Sequence, residues 1–164
     1  MDFEAPVDAW YVWVGVAIAS VTFAGIALSL PSQPPPDAAE AANTIDEIGA
    51  SSYNTSATYE HDADEVKIDV KRIGMRNEGG TEWASIAFGQ MTPVRAHSNP
   101  EKGLDIVYGA EPSSVFSTPS AMQSYAETAR NTAVKSGGEW HQGDGTLRVR
   151  RVHWGGVSVT FVAA

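Results

Sequence analysis

The sequence predicts an α+β fold, in which one N-terminal transmembrane helix is followed by a mainly antiparallel β-sheet domain with one packed helix. Three observations predict it. Residues 10–30 form a run of 21 residues without a charged side chain. Apolar and polar side chains alternate from Glu65 onward, which is the period of a half-buried strand. Thr118 and Gly137 supply the start and stop signals of a helix.

These signals divide the chain into five segments. We expect a short acidic flank, a transmembrane helix, a proline-rich spacer, an amphipathic helix and a β-rich soluble domain, at residues 1–9, 10–30, 31–36, 37–52 and 53–164 respectively. Consecutive prolines cannot continue a helix and favour polyproline II, so the spacer is expected to be short and stiff.

The apolar run is interpreted as a membrane span. A helix of this length covers roughly 30 Å, the thickness of the hydrocarbon core of a bilayer. Trp10, Tyr11 and Trp13 lie at one end, where aromatic rings sit at the headgroup level. The alternatives are a buried core helix and a cleaved secretory signal, but a signal needs a positive n-region and this flank is acidic. No Lys or Arg precedes Lys67, so positive charge does not decide the orientation.

Small residues occur four apart within the predicted span. The pairs are Gly15 with Ala19, Ser20 with Ala24, and Gly25 with Ser29. Small residues at this spacing let helix backbones approach closely, which favours assembly with other membrane helices. The alternative is that such residues are simply common in membrane helices.

Asp37 is expected to cap the amphipathic helix. Small and apolar residues then form a narrow stripe at helical spacing, made of Ala38, Ala41, Ala42, Ile45, Ile48 and Gly49. The stripe is expected to pack on the domain or on a neighbouring subunit.

The middle of the domain is predicted to be β-rich. A strand is expected at residues 65–75, a turn at 77–80 and a second strand at 81–89, together forming a β-hairpin. Thr92 and Pro93 are expected to break the second strand. A loop, a third strand and a connection follow at residues 97–103, 104–108 and 110–116.

The last third of the chain contains the predicted packed helix and a hairpin. Thr118 is the expected N-cap, with Pro119 at the first helical position, and Gly137-Gly138 is the expected stop. Beyond it, Leu147 and Val149 alternate with polar residues in a strand. Gly155-Gly156 then forms a two-residue connection to a final apolar strand.

Composition excludes several classes of function. Asp and Glu outnumber Lys and Arg by 20 to 11, which gives a net charge of −9. This charge argues against nucleic acid or anionic lipid headgroups as partners. The chain has no Cys, so disulfides, thiol nucleophiles and Cys-ligated metals are excluded.

No catalytic, cofactor or metal residue is predicted. Residues 61–65 (HDADE) are the densest group of candidate ligands, and their carboxylates could offer oxygens to Ca²⁺ or Mg²⁺, but the twelve-residue loop pattern is absent. We therefore expect a solvated turn there. The four His show no metal-ligand spacing, and no nucleophile or phosphate-loop motif is present. A hydrolase with a scattered site is the remaining enzymatic alternative.

Two surface features carry hypotheses. Asn54-Thr55-Ser56 fits the N-glycosylation sequon, which matters if the domain lies outside the cell. Arg148, Arg150 and Arg151 form a basic cluster, in which Arg148 and Arg150 should share one face of a strand. They are candidate interface charges that pair with acids of another subunit, the alternative being pairing within the chain.

Several segments resemble small uncharacterised haloarchaeal single-pass membrane proteins. They are FEAPVDAW at residues 3–10, PPP at 34–36, ANTID at 42–46, RNEGGT at 76–81 and VHWGGV at 152–157. Scattered acid with abundant Ala, Thr, Val and Gly is also similar to the proteins of salt-loving archaea. The resemblance covers nearly the whole chain, and members of this group accompany secretion-ATPase or pilus-assembly genes.

The layout is similar to type IV pilin-like and TadE-like minor subunits. The resemblance implies association with a surface filament or export machine, a β-domain outside the cell and no catalytic residues. Two features depart from pilins: no basic residue and Gly precede the hydrophobic run as in a prepilin peptidase site, and the proline spacer interrupts the helix. The chain is therefore expected to be pilin-like in layout and unprocessed.

The sequence thus predicts a non-enzymatic, membrane-anchored structural or assembly component of an archaeal pilus-like or secretion-type envelope apparatus. Its expected location is the cell membrane, as a single-pass protein with an extracytoplasmic domain. Its expected partners are the lipid bilayer and other pilin-like or assembly-machine subunits. The alternative is a membrane-tethered extracytoplasmic binding or sensing module. A concave apolar pocket with converging polar groups would favour this alternative, whereas a flat or strand-edge surface would favour assembly.

Overall fold

A computed structural model describes residues 9–29 and 33–164 of the chain. It divides into two compact units, Met1–Gln33 and Pro34–Ala164. The predicted acidic flank, apart from Ala9, and residues 30–32 at the junction of span and spacer lie outside the described residues.

The first unit contains helix α1, Ala9–Leu28. Its segment from Trp10 to Leu28 is long and apolar enough to cross a membrane. None of its most apolar window is buried, whereas the alternative of a buried core helix requires burial. The hydroxyl of Thr22 donates to the carbonyl of Ile18 at 2.8 Å, so this polar group is satisfied within the helix.

The second unit contains four further helices and eight strands across residues 34–164. In chain order they are α2 Ala38–Ala50, β1 Thr55–Glu60, β2 Glu65–Ile68, β3 Arg72–Asn77, β4 Gly80–Ser85, β5 Met91–Pro93, α3 Glu101–Val107, α4 Pro112–Val115, α5 Pro119–Ser136, β6 Trp140–Gln142, β7 Thr146–Trp154 and β8 Val157–Ala163. A 3-10 turn, Val94–Ala96, follows β5.

The strands form two four-stranded sheets. The first has the order β1-β7-β8-β5 and the second β4-β3-β2-β6. Every pair is antiparallel except β5 with β8, which run parallel. The α+β class with a mainly antiparallel sheet is therefore confirmed.

Helix α2 forms as its sequence predicts. The side chain of Asp37 accepts the backbone N–H of Glu40 at 2.8 Å, which satisfies one of the orphan donors of the first turn. All six stripe residues are buried. The three alanines and two isoleucines share one hydrophobic core with residues of both sheets, so the stripe packs on the domain itself.

Strand β8 connects two cores. Val162 packs in the core that contains α2 and the second sheet. Phe161, its neighbour, packs in a second core with residues of α3, α4 and α5. Because successive side chains of a strand point to opposite faces, the first sheet lies between these two layers.

The predicted single strand at residues 65–75 is wrong, because the chain turns within it. The side chain of Asp69 accepts the N–H of Val70 at 2.7 Å, and the N–H of Asp69 donates to the carbonyl of Arg72 at 3.0 Å. Strands β2 and β3 therefore pair with each other, with Ile68 opposite Ile73. A side-chain-to-backbone turn at Asp69 overrides the alternating pattern.

The predicted third strand at residues 104–108 is also wrong, since these residues belong to α3 and its C-cap. Gly103, Ile106 and Val107 are its buried residues, and their spacing is helical. A Cβ on Gly103 would lie 2.6 Å from Val94 and 2.7 Å from the Tyr125 hydroxyl, so glycine lets the helix approach closely.

Two other elements differ from expectation. Thr92 and Pro93 form part of edge strand β5 rather than a break, and an edge strand tolerates proline.

The prediction of one sheet-packed helix was correct for α5. The hydroxyl oxygen of Thr118 accepts the backbone N–H of Ala121 at 3.1 Å, and Gly137 ends the helix with a φ of 67°. However, α3 and the short α4 pack in the same core.

Candidate binding surface

The small residues of α1 remain candidates for helix packing. Gly15 with Ala19 and Ser20 with Ala24 lie one turn apart, and all are exposed in the described part of the chain. A Cβ placed on Gly15 would have open space around it. The geometry is compatible with close approach of a second helix, and the packing stays a prediction.

Asn54 lies on the surface, just before β1. Asn54 is exposed, and its side-chain Oδ1 accepts the backbone N–H of His153. The ring of His153 lies near the carbonyl of Ser51 and the hydroxyl of Ser158, so this histidine joins the segment before β1 to β8. Glycosylation of Asn54 stays a prediction.

The three arginines of β7 have contacts within the chain. Arg148 pairs with Asp144 at 2.8 Å. Arg150 donates to the carbonyls of Ile106 at 2.6 Å and Ala110 at 2.9 Å, at the C-terminal end of α3. Arg148 and Arg150 share one face, as predicted, while Arg151 donates to the hydroxyl of Thr160 at 2.9 Å on the other. These contacts match the alternative of internal pairing, and their role as interface charges stays a prediction.

The candidate ligands at residues 61–65 are dispersed. Glu65 pairs with Arg76, which lowers the pKa of that carboxyl mainly through the side-chain hydrogen bond. The Nδ1 of His61 accepts the N–H of Ala63 at 3.2 Å. Within residues 9–29 and 33–164, no three His, Asp or Glu side chains converge in a way that could hold a metal ion.

The outer face of the second sheet carries a group of aromatic and cationic side chains. Trp140, Lys67, Gly74 and Trp83 stand side by side across β6, β2, β3 and β4. We call the set formed by Lys67, Arg72, Arg76, Trp83 and Trp140 the tryptophan face.

Gly74 creates the space in which Trp83 lies. A Cβ on Gly74 would be 2.7–2.8 Å from ring atoms of Trp83, so the indole covers the bare backbone of β3. Trp83 also meets Trp140 edge-on, with ring centroids 5.4 Å apart. Even so, Trp83 is 45% exposed, and the two rings form an aromatic platform open to solvent.

Cations surround this platform. The guanidinium of Arg72 lies 4.9 Å from the Trp83 ring, that of Arg76 lies 4.4 Å from the Trp140 ring, and the Lys67 ammonium lies 5.9 Å from Trp83. Asp69 and Glu65 pair with the two arginines. In an acidic protein, this face therefore carries more cations than carboxylates.

Sequence reasoning missed this site. It treated Arg148, Arg150 and Arg151 as the basic cluster, since they are adjacent in the chain. The residues of the tryptophan face come from four strands, and the turn at Asp69 places Lys67 beside Gly74. One signal in the sequence pointed to this face. Trp83 alternates with Thr81 and Ser85, so a large aromatic residue lies on a strand face whose other residues are polar.

A shallow groove of about 420 Å³ lies elsewhere on the same unit. It is lined by Pro34, Pro35, Asp37, Tyr59, Glu60, His61 and Asp62, and we call it the acidic groove. Burial raises the pKa of Tyr59, and the charges of Asp37, Glu40 and Asp62 raise it further. Burial also lowers the pKa of His61, although Asp144 and Asp62 oppose this, so the histidine adds little positive charge at neutral pH.

A cavity of about 90 Å³ lies between the two sheets. Its walls include Val66, Val162, Arg95 and His141. Arg95 donates to the carbonyl of Ala164 at 2.8 Å, and burial together with the charge of Arg95 lowers the pKa of His141. The volume is smaller than that of cavities that bind benzene, about 150 Å³.

The fold and surface define the class: an α+β domain preceded by an apolar helix of membrane-spanning length. The chain matches the sequence profile of a family of unknown function, DUF7283, over residues 4–152, and belongs to that family. The match extends from the predicted acidic flank into β7. No curated protein matches the chain, and no solved structure matches it.

Replacing Arg150 with Ala should destabilise the fold by about 1–3 kcal/mol, because carbonyls at the end of α3 lose a partly buried charged donor. Arg148→Ala is the matched control. Its pair with Asp144 is more exposed, so its loss should cost less than about 1 kcal/mol. Chemical unfolding of the full chain in detergent measures both, and equal costs would contradict the assigned contacts.

Gly74→Ala should destabilise the fold by about 1–3 kcal/mol, because the new methyl group overlaps the Trp83 ring. In a Trp83→Ala background the same substitution should cost much less. A double-mutant cycle on unfolding free energies measures this coupling. Additive effects would show that Trp83 does not cover Gly74.

The unit formed by Pro34–Ala164 should lose folding free energy as the pH falls below about 6.5, which is the ordinary pKa of histidine. Burial lowers the pKa of His61, His97 and His141, so the unfolded chain binds their protons more readily than the folded chain. Thermal unfolding of the full chain at pH 7.5 and 5.5 tests this. His61→Gln should make the loss of Tm smaller, and an unchanged loss would contradict the assignment for His61.

Proposed function

We propose that this protein is a non-enzymatic, membrane-anchored structural or assembly component of an archaeal pilus-like or secretion-type envelope apparatus. Helix α1 anchors it in the cell membrane as a single pass, and the unit formed by Pro34–Ala164 lies outside the cell. The observation that carries this proposal is the combination of a span-length apolar helix with a domain whose most distinctive surface is an open aromatic and cationic sheet face.

The apolar helix supports anchoring on energetic grounds. Its exposed Val, Ile, Phe and Leu side chains include Val21, Phe23 and Leu28, which are 73%, 73% and 87% exposed. Burying one such side chain contributes about 1.5–3 kcal/mol. A helix with this many exposed apolar groups is unfavourable in water and favourable in hydrocarbon.

The tryptophan face supports a role in binding other proteins. Trp and Arg are enriched at protein interfaces and among the residues that contribute most to binding energy. Trp83 is held by Gly74 and by its neighbours, so little side-chain entropy is lost on contact. A flat surface of this kind suits a partner protein better than a small substrate.

The titratable groups support a non-enzymatic role. The histidines with lowered pKa values occupy three separate environments: His61 in the acidic groove, His97 stacked on Tyr125 at 3.9 Å, and His141 in the cavity between the sheets. An acid–base mechanism requires such groups to meet around one reacting atom.

A membrane-tethered binding or sensing module is the second candidate. The cavity between the sheets favours it, since Arg95, Glu139 and His141 line it together with apolar side chains. Its volume restricts the ligand to a small ion or a few water molecules.

The wild-type chain should stay in the membrane pellet after alkaline carbonate extraction. Ile18→Arg with Val21→Arg should release it, because a charge near the centre of a span costs about 2.5–3.5 kcal/mol. Trp10→Arg is the matched control, since an arginine at the helix end reaches the interface. Cross-linking in native membranes should recover envelope-assembly subunits with the wild type and with the control.

Recovery of the wild type in the aqueous fraction would refute anchoring, and recovery without any assembly subunit would refute the assembly role. Protease added to intact cells reports the orientation. Loss of the domain, together with a mobility shift in Asn54→Gln, would agree with an external location.

A further inference from the structure

We propose that the tryptophan face binds the acidic groove of a second copy of this chain, so that the protein assembles with itself head to tail. This inference rests on the proposed role as an assembly component and names one of its partners.

The two surfaces are complementary in charge. The tryptophan face presents Lys67, Arg72 and Arg76, which outnumber the two carboxylates paired with the arginines, and the side chain of Arg72 is 52% exposed. The acidic groove presents the carboxylates of Asp37, Glu60 and Asp62, all on exposed residues. Opposite potentials on two surfaces favour their encounter and fix their register.

The two surfaces are also complementary in chemistry. Pro34, Pro35 and Tyr59 give the groove apolar walls, and the groove is shallow and open to an approaching surface. Trp83 supplies an exposed indole at the centre of the opposite surface. Covering the exposed side of its ring with the prolines and the tyrosine adds apolar contact area to the charge pairing.

A head-to-tail contact follows from the distribution of charge. A symmetric contact of two tryptophan faces would bring like charges together, and two acidic grooves would repel each other. The face and the groove share no residue, so one copy can use both surfaces at once. Such heterologous contacts produce rings or open chains of subunits.

The absence of cysteine from the sequence permits a direct test. In the full chain, Ser85→Cys places a thiol on the tryptophan face, since Ser85 lies opposite Arg72 in β4. Ala39→Cys places a thiol on the exposed side of α2, next to Asp37 at the edge of the groove. Val134→Cys, on an exposed site of α5, is the matched control.

Differently tagged single-cysteine chains are mixed in lipid vesicles and treated with a short bis-maleimide. The Ser85–Ala39 product should exceed the Ser85–Ser85, Ala39–Ala39 and Val134 products by about tenfold, which corresponds to about 1.4 kcal/mol. An excess of the Ser85–Ser85 product, or equal yields of all products, would overturn the proposal.

Charge reversal tests the complementarity without depending on one variant. Lys67→Glu with Arg72→Glu on the Ser85→Cys copy should abolish the excess, as should Glu60→Lys with Asp62→Lys on the Ala39→Cys copy. Mixing the two reversed copies should restore it. Failure of this rescue would overturn the role of charge.

The outcome also separates this inference from the proposed function. If other envelope subunits are captured from native membranes while the Ser85–Ala39 product stays at the control level, self-assembly is refuted and the assembly role stands. If neither is observed, both are refuted.

Discussion

The alternation of apolar side chains along β8 is the constraint on which the rest of the domain depends. Val162 enters the core under α2, and Phe161 enters the core under α3 and α5. Each fully buried side chain of this kind contributes about 1.5–3 kcal/mol. Because both faces of β8 are covered, the first sheet is the central layer, with the second sheet and α2 packed on one side of it and α3, α4 and α5 on the other.

This layering leaves the outer face of the second sheet free to make contacts. Its inner residues, such as Ile73 and Met75, complete the core with α2. On its outer face Trp83 is 45% exposed, and Gly74 allows this side chain to lie flat across β3 with cations around it. A sheet with one buried and one open face is common among antiparallel sheets, and here the open face is the feature that most favours a binding function.

The sequence predicted the elements whose signals are local. The cap at Asp37, the cap at Thr118 and the stop at Gly137 all form within a few residues of the chain, so their residue types suffice to locate them. The prediction failed at residues 65–75 and 104–108. In the first, the alternating pattern continues through a turn; in the second, a short apolar run fits a strand and a helix equally well until its packing partners are known.

The candidate site shows the same limit. The predicted basic cluster consists of residues that are close together in the sequence, Arg148, Arg150 and Arg151. In the structure each of these side chains makes a contact within the domain. The tryptophan face, in contrast, is assembled from four strands, and its residues are as much as 73 positions apart, from Lys67 to Trp140. Strand register decides such a surface, and register depends on turns and on which faces are buried.

The sequence by itself therefore determined the apolar helix, the α+β class, the two capped helices and the terminal hairpin, because each follows from composition, periodicity or turn residues along a short stretch of chain. The tertiary structure alone decided that the strands form two separate sheets, that β8 contributes to both cores, that residues 101–107 are helical, and that two tryptophans and three cations meet on one open face. These features depend on contacts between residues far apart in the chain, and no local pattern specifies which distant residues will meet.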